Sequence, residues 1–447
     1  MATFAPALRH LAMEARALLA RLASVKPFAL QMTAVPAACI SPAAQTAIDT
    51  HLERARHHLR ETALEFLDWL QSAADWTMSP DVAQRRFTIV RLRFNALLAQ
   101  LDIFAEVLVQ RSEQEYGVWI SGLDSVAADA LALPDYYEAP PVICYCDRSA
   151  GAAIRRARTR LPGGASSPVA VIRVPRERMI GSGIASSLIH EVGHQASALL
   201  GLVESVGRLL KVQQNQSAAS ERVAWGYWGR CISEILADFW SVAKVGIGST
   251  LGLMGVVSLP RAFVFRINLD DPHPCPWIRV KLSCALGRAL YPDPQWDGLE
   301  SIWESFYPTD GLDRERSRLL SILAENIPFF VEMLVNHRPA SLRGGMLAET
   351  VVEAERQPAR LAAMYESWRA SPQRSRSVSP SLAFAVIGQA RANEEISPED
   401  ESKLVGQLLT HWALRGTLDT TALCAEVPRV GPNLRHRDLA ILSTISP

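Results

Sequence analysis

Ile184-Ala185-Ser186-Ser187-Leu188-Ile189-His190-Glu191-Val192-Gly193-His194-Gln195-Ala196-Ser197-Ala198-Leu199-Leu200 decides how this 447-residue chain is read. The stretch is rich in apolar residues, lacks proline and stops at Gly201, with Ser182 placed to cap its start, so it predicts a buried helix. His190 and His194 are four positions apart and therefore share a face of that helix. Two neutral imidazoles stacked this way can hold one ion, and Glu191, one step round, lies beside it. A hydrolytic zinc site needs these donors: nitrogen ligands that leave the ion a strong Lewis acid, and a carboxylate to take a proton from water. The competing reading, two core histidines satisfied by carbonyl groups, requires burying His, Glu and His within one turn for packing alone.

A third ligand is required. A His six positions after His194 would mark one type of zinc hydrolase, but that position is Leu200, and Ser197 replaces the glycine of that type. Downstream, Ser233-Glu234-Ile235-Leu236-Ala237-Asp238 falls in a predicted helix over 218–245, with Glu234 and Asp238 on one face. Glu234 can complete a tetrahedron, and Asp238 can receive the free N–H of a ligand histidine. Glu204 and Glu221 compete for the ligand role. Glu204 is expected to continue the direction of the motif helix and point away, and Glu221 has no acid four residues on.

An HExxH helix followed by a second helix bearing Glu-x-x-x-Asp resembles the gluzincin branch of the zincin metallopeptidases, the thermolysin-like architecture. The resemblance covers about residues 168–240. It implies His190, His194 and Glu234 as Zn²⁺ ligands, Glu191 as general base, Asp238 as the partner of His190, and a peptide or protein substrate. It also implies that the strand at Pro168–Val174 is the edge strand along which an extended substrate aligns. The match departs in its link, 201–232, which is longer than the minimal one.

Hydrolysis also needs a donor for the oxyanion formed when water attacks a carbonyl. His273, in the irregular Asp270-Asp271-Pro272-His273-Pro274-Cys275-Pro276 loop, is the first candidate, with Tyr227, Tyr291 and Arg279 behind it. Tyr227 lies seven before Glu234 and so on the same helical face, although Trp225, Tyr227 and Trp228 together also read as packing.

The remainder of the chain frames this region. Leu8–Ala23, Ala44–Ser72 and Pro80–Arg111 repeat apolar residues at helical spacing, and His57-His58, on adjacent helical positions about 100° apart, is a solvated face and not a shared site. Val142-Ile143-Cys144-Tyr145-Cys146 and Pro168-Val169-Ala170-Val171-Ile172-Arg173-Val174 read as strands, and 162–166 between them as a turn, since it lacks the ending of a phosphate loop. Ser371–Ser381 has the composition of a mobile linker. The expected fold is mainly α with a small β-sheet: a helical region over 1–139, a zincin-like core over 140–310 and a helical region over 311–447.

Lys plus Arg and Asp plus Glu both number 46, so no global field draws in nucleic acid or an anionic membrane. The seven cysteines lack the spacing of a disulfide framework, the first 27 residues read as an amphipathic helix and not an export signal, and no stretch suits stable membrane insertion, so a cytoplasmic setting is expected, with a cleaved leader ending near Ala44 as the alternative. Two other classes of function stay open on the sequence. One is a non-catalytic binding or scaffolding protein that keeps the fold, and the other a non-peptide amide hydrolase.

Overall fold

The computed structural model describes residues 5–25, 28, 35–72, 79–148, 151–176, 181, 183–268 and 270–426. The chain is mainly helical with one small sheet. Four helices come first: α1 (Ala5–Ala23), α2 (Pro42–Ser72), α3 (Pro80–Val109) and α4 (Gln114–Leu131). Strands β1 (Val142–Asp147), β2 (Ala153–Arg155) and β3 (Ala170–Pro175) follow, and then the central helices α5 (Gly183–Leu199), α6 (Leu202–Gln216), α7 (Ala219–Val245) and α8 (Ile247–Val257). A single turn, α9 (Arg261–Val264), precedes α10 (Pro276–Leu290), α11 (Gln295–Phe306) and α12 (Arg314–Val335). The chain closes with α13 (Leu347–Val351), α14 (Pro358–Ala370), α15 (Pro380–Ala392) and α16 (Pro398–Glu426).

The sheet separates two cores. Val142, Cys144 and Cys146 of β1 alternate with Ile143, and Ala170, Ile172 and Val174 of β3 with Val171, so each strand presents both faces to apolar partners. The even set joins a large core running from Ile120 to Trp412, and the odd set joins the core of α1, α2 and α3. Burial on both faces explains why these strands read as continuous apolar runs.

The strand order is β1-β3-β2, with β3 parallel to β1 and antiparallel to β2. This corrects the expectation that the strand at Pro168–Val174 is an edge. It is the middle strand, paired on both sides, and the edges belong to β1 and the three-residue β2. Nothing in its residues signalled the difference, because a strand buried on both faces has the same composition at the centre or the edge.

Ser371–Ser381 is also not the linker expected. Pro372–Arg376 forms a 3-10 helix, Ser375 and Ser381 are buried, and Ser381 donates its backbone N–H to Asp129 at 2.8 Å and accepts from Arg356 at 3.0 Å. Ser375 and Ser381 spend their hydroxyls within the fold, while Gln373, Arg374 and Arg376 face solvent. The exposed His57 pairs with Glu61 on the same helix, as a solvated face would.

Helix α5 is held on two sides. Gly252 of α8 lies against Ser186, whose hydroxyl donates to Ser249 O at 2.9 Å. On the other side Gly193 meets α7, where a β-carbon would sit 2.8 Å from Ala237 Cα and 2.9 Å from both Ala237 O and Trp240 Cβ. Such contacts are closer than real side chains make, so the second variable position of the HExxH pattern must be glycine for the two helices to approach. Gly193→Ala is expected to push α5 from α7, destabilise the protein by about 1–3 kcal/mol and weaken metal binding, checked by thermal melts with and without zinc. An unchanged melt in both conditions would refute the close-packing account.

Ser182, read as the N-cap of the motif helix, lies outside the described residues. At the other end Gly201 takes φ 60°, a left-handed conformation suited to glycine, and turns the chain into α6. Glu204, on the first turn of α6, is exposed. It therefore misses the metal region because the helix breaks, and not because α5 continues.

Candidate metal centre

The α5–α7 crossing brings the residues of the two motifs together. On α5 the rings of His190 and His194 lie with centroids 4.9 Å apart and planes at 87°. Glu234, on α7 one turn before Ala237, spans them: Oε2 is 3.2 Å from His190 Nε2 and Oε1 is 3.5 Å from His194 Nε2. Among the described residues these three form a group of donor atoms all within 4.8 Å of one another. Glu204 and Glu221 are both exposed and stand outside it.

The hydrogen bonding around His190 tests whether a cation fits. Asp238 Oδ1 lies 2.8 Å from His190 Nδ1. Asp238 is buried, which opposes its charge, yet the Arg279 guanidinium and His190 hold its carboxyl far below the usual carboxylate range. An ionised carboxylate only accepts, so Nδ1 of His190 carries the proton. In the neutral ring, Nε2 then turns a lone pair toward a second carboxylate oxygen at 3.2 Å, which is repulsive unless a positive charge lies there. Either a proton or a metal ion supplies it. Without metal, burial disfavours the charged ring, but Asp238 and Glu234 outweigh it and lift the His190 pKa to about 9.

The spacing suits the metal as well. Zinc bonds of ~2.0–2.1 Å in a tetrahedron set neighbouring donors about 3.3 Å apart, which the 3.2 and 3.5 Å separations bracket. The donor set of two imidazoles and a carboxylate suits the same ion.

Each member has a support. Arg279 of α10 grips Asp238 through Nε to Oδ2 at 2.7 Å and Nη2 to Oδ1 at 2.8 Å, a bidentate pair buried beside His190. Ser233 Oγ is 3.3 Å from His194 Nδ1 and orients the second imidazole. Glu191 is buried next to both histidines, and burial pushes its carboxyl pKa up. Glu234 is also buried, but hydrogen bonds with His190, His194 and His273 keep its carboxyl well below the ordinary range.

His273 reaches the cluster from its proline-rich loop. Its Nε2 is 3.2 Å from Glu234 Oε2, and Asp271 Oδ1 takes both its backbone N–H at 2.9 Å and its Nδ1 at 2.7 Å. The bond to Glu234 raises its pKa, and its ring is half-exposed, at the solvent side of the site. Tyr227 has a different place from the one expected. It is buried, and its hydroxyl oxygen accepts the Cys275 amide N–H at 2.6 Å, two residues beyond His273. Tyr227 therefore anchors the loop that carries His273. Tyr291 likewise spends its hydroxyl on Ala243 O at 2.6 Å, and Arg279 is committed to Asp238. Of the four oxyanion candidates, His273 is the one the fold brings to the cluster with its ring open to solvent.

Sequence reading did not find Ser233, although it adjoins Glu234, because a serine beside a ligand has no distinguishing spacing. It placed Arg279 in the wrong role, since pairing with an acid 41 positions away is a property of helix packing. No protein-family model matches the chain, and neither a curated protein nor a solved structure does so. The functional reading therefore rests on the site's geometry.

Cys39, Cys144, Cys231, Cys275 and Cys284 carry free thiols, and the side chain of Cys424 lies outside the described residues. Among the described residues no helix is long and apolar enough to cross a membrane.

Proposed function

We propose that this chain is a zinc-dependent hydrolase of the gluzincin type, with His190, His194 and Glu234 holding the ion. The observation that carries the reading is the pair of Glu234 oxygens set 3.2 and 3.5 Å from two imidazole nitrogens, with Asp238 fixing the proton of His190 on the opposite nitrogen. The ion, when bound, supplies Lewis-acid activation of water. Glu191 accepts the proton released, and the upward push of burial on its carboxyl brings its basicity toward neutral pH. His273, oriented by Asp271 through Nδ1, would turn its Nε2–H from Glu234 Oε2 to the oxygen that gains negative charge as the carbonyl is attacked. Asp238, held by Arg279, and Ser233 keep the two imidazoles aimed.

A peptide bond as the substrate rests on the resemblance of the HExxH and ExxxD pair to the gluzincins. The test is metal content with activity. The purified chain is expected to carry about one zinc per molecule and to cleave members of a peptide library, to lose both on chelation and to recover both on adding zinc. A preparation that hydrolyses peptides while metal-free would sink the reading. One that holds zinc but cleaves no peptide would favour the amide-hydrolase or binding alternatives.

A further inference from the structure

A second site lies on the other face of the sheet, away from α5. Strand register builds its floor: Tyr145 of β1, Arg173 of β3 and Ala153 of β2 form one row across the sheet, and Ile143, Val171 and Arg155 the next. Ala153, Tyr145 and Arg173 line a hollow together with Ile103 and Glu106 of α3. The cleft, about 500 Å³ and open to solvent, is bordered by Arg156, Thr159 and Arg160 from the segment after β2. That volume suits a small organic molecule.

Four arginines, at 155, 156, 160 and 173, line this cavity with a single acid, Glu106. Structural arginines normally find carboxylates or carbonyls, as Arg279 and Arg111 do here. Among the described residues the side chains of Arg155, Arg156 and Arg160 make no hydrogen bond or ion pair. Arg173 has one long contact, 3.5 Å to Asp147, and its Nε is buried without a partner. A buried guanidinium N–H left unpaired is costly unless a ligand satisfies it. The arginine-bearing segment is also fixed in place: Ala157 N–H donates to Gln195 Oε1 at 2.8 Å, Arg158 N–H to Ser167 O at 2.9 Å and Ser167 N–H to Thr159 O at 2.8 Å. The backbone that carries the arginines is thus fixed before any ligand arrives.

We propose that this cavity binds a small phosphate monoester. Planar guanidinium groups match phosphate oxygens in pairs, and the four positive charges against Glu106 and Asp147 leave an excess suited to a dianion. Tyr145, Ile103 and Val171 supply an apolar wall for the organic part. The site shares no residue with the metal centre and stands whether or not that centre hydrolyses anything.

Calorimetric titration of the full chain with phenyl phosphate and with inorganic phosphate tests it. One phenyl phosphate per chain is expected, bound more tightly than inorganic phosphate and more weakly as salt is raised. The double variant Arg155→Gln/Arg160→Gln changes two exposed side chains and leaves the fold intact, which its melt will show, and is expected to weaken binding about tenfold or more. Arg91→Gln, on the exposed surface of α3, is expected to bind as the wild type does. No binding at millimolar concentration, equal or tighter binding of inorganic phosphate, or an undiminished affinity in the double variant would each overturn the proposal. The last would place the phosphate elsewhere on the protein.

Discussion

Glu234→Ala is expected to strip zinc from the protein. The carboxylate is the only acid of the three-donor group, and its two oxygens face both histidines, so its loss leaves two neutral nitrogens to hold a divalent ion. Changes to residues that merely orient a ligand cost about 10–100-fold in metal affinity, and removal of a ligand should exceed that range. Zinc competition with a fluorescent chelator measures it. Glu234→Gln, which keeps the shape and one acceptor oxygen, separates a binding loss from a folding loss: it should melt as the wild type does without metal and still bind zinc poorly. Wild-type zinc retention in both variants would remove Glu234 from the site. It would turn attention to His273, whose Nε2 is already 3.2 Å from the same carboxylate.

Glu191→Gln is expected to do the opposite, keeping zinc and losing turnover. Glu191 adjoins the donor group without belonging to it, and glutamine fills the same volume with no basic oxygen. General-base catalysis typically contributes 10²–10⁴-fold, so kcat on any cleaved peptide should fall by about that factor, with stoichiometric zinc in the purified variant. Activity within a few fold of wild type would show that the proton goes elsewhere. Loss of zinc together with activity would make Glu191 part of the binding set. The two variants therefore divide ligand from base, since one predicts an empty protein and the other a loaded, inactive one.

Much of the framework was readable in advance where local rules are strong. The helix over 218–245 appears as Ala219–Val245, the motif helix ends at Leu199 ahead of a left-handed Gly201, and the proline-rich run before Pro276 is an irregular loop. Periodicity, proline and glycine act within a few residues, so they survive folding. The order of the segment after Ser371 was not readable, because it is docked through Ser381, whose backbone N–H donates to Asp129, more than 200 positions away.

For the metal centre, sequence by itself determined the pairing of donors along each helix. His190 with His194, and Glu234 with Asp238, follow from 3.6 residues per turn and need no tertiary knowledge. Tertiary structure alone decided that these two faces meet, through the missing side chain of Gly193 against Ala237 and Trp240. It also decided that His273 arrives on a loop tethered by Tyr227, that Arg279 serves Asp238, and that β3 is a middle strand. The physical reason is range: helical spacing is fixed by bonds between near neighbours, whereas a crossing helix, a docked loop or a strand's place in a sheet depends on packing between residues tens of positions apart.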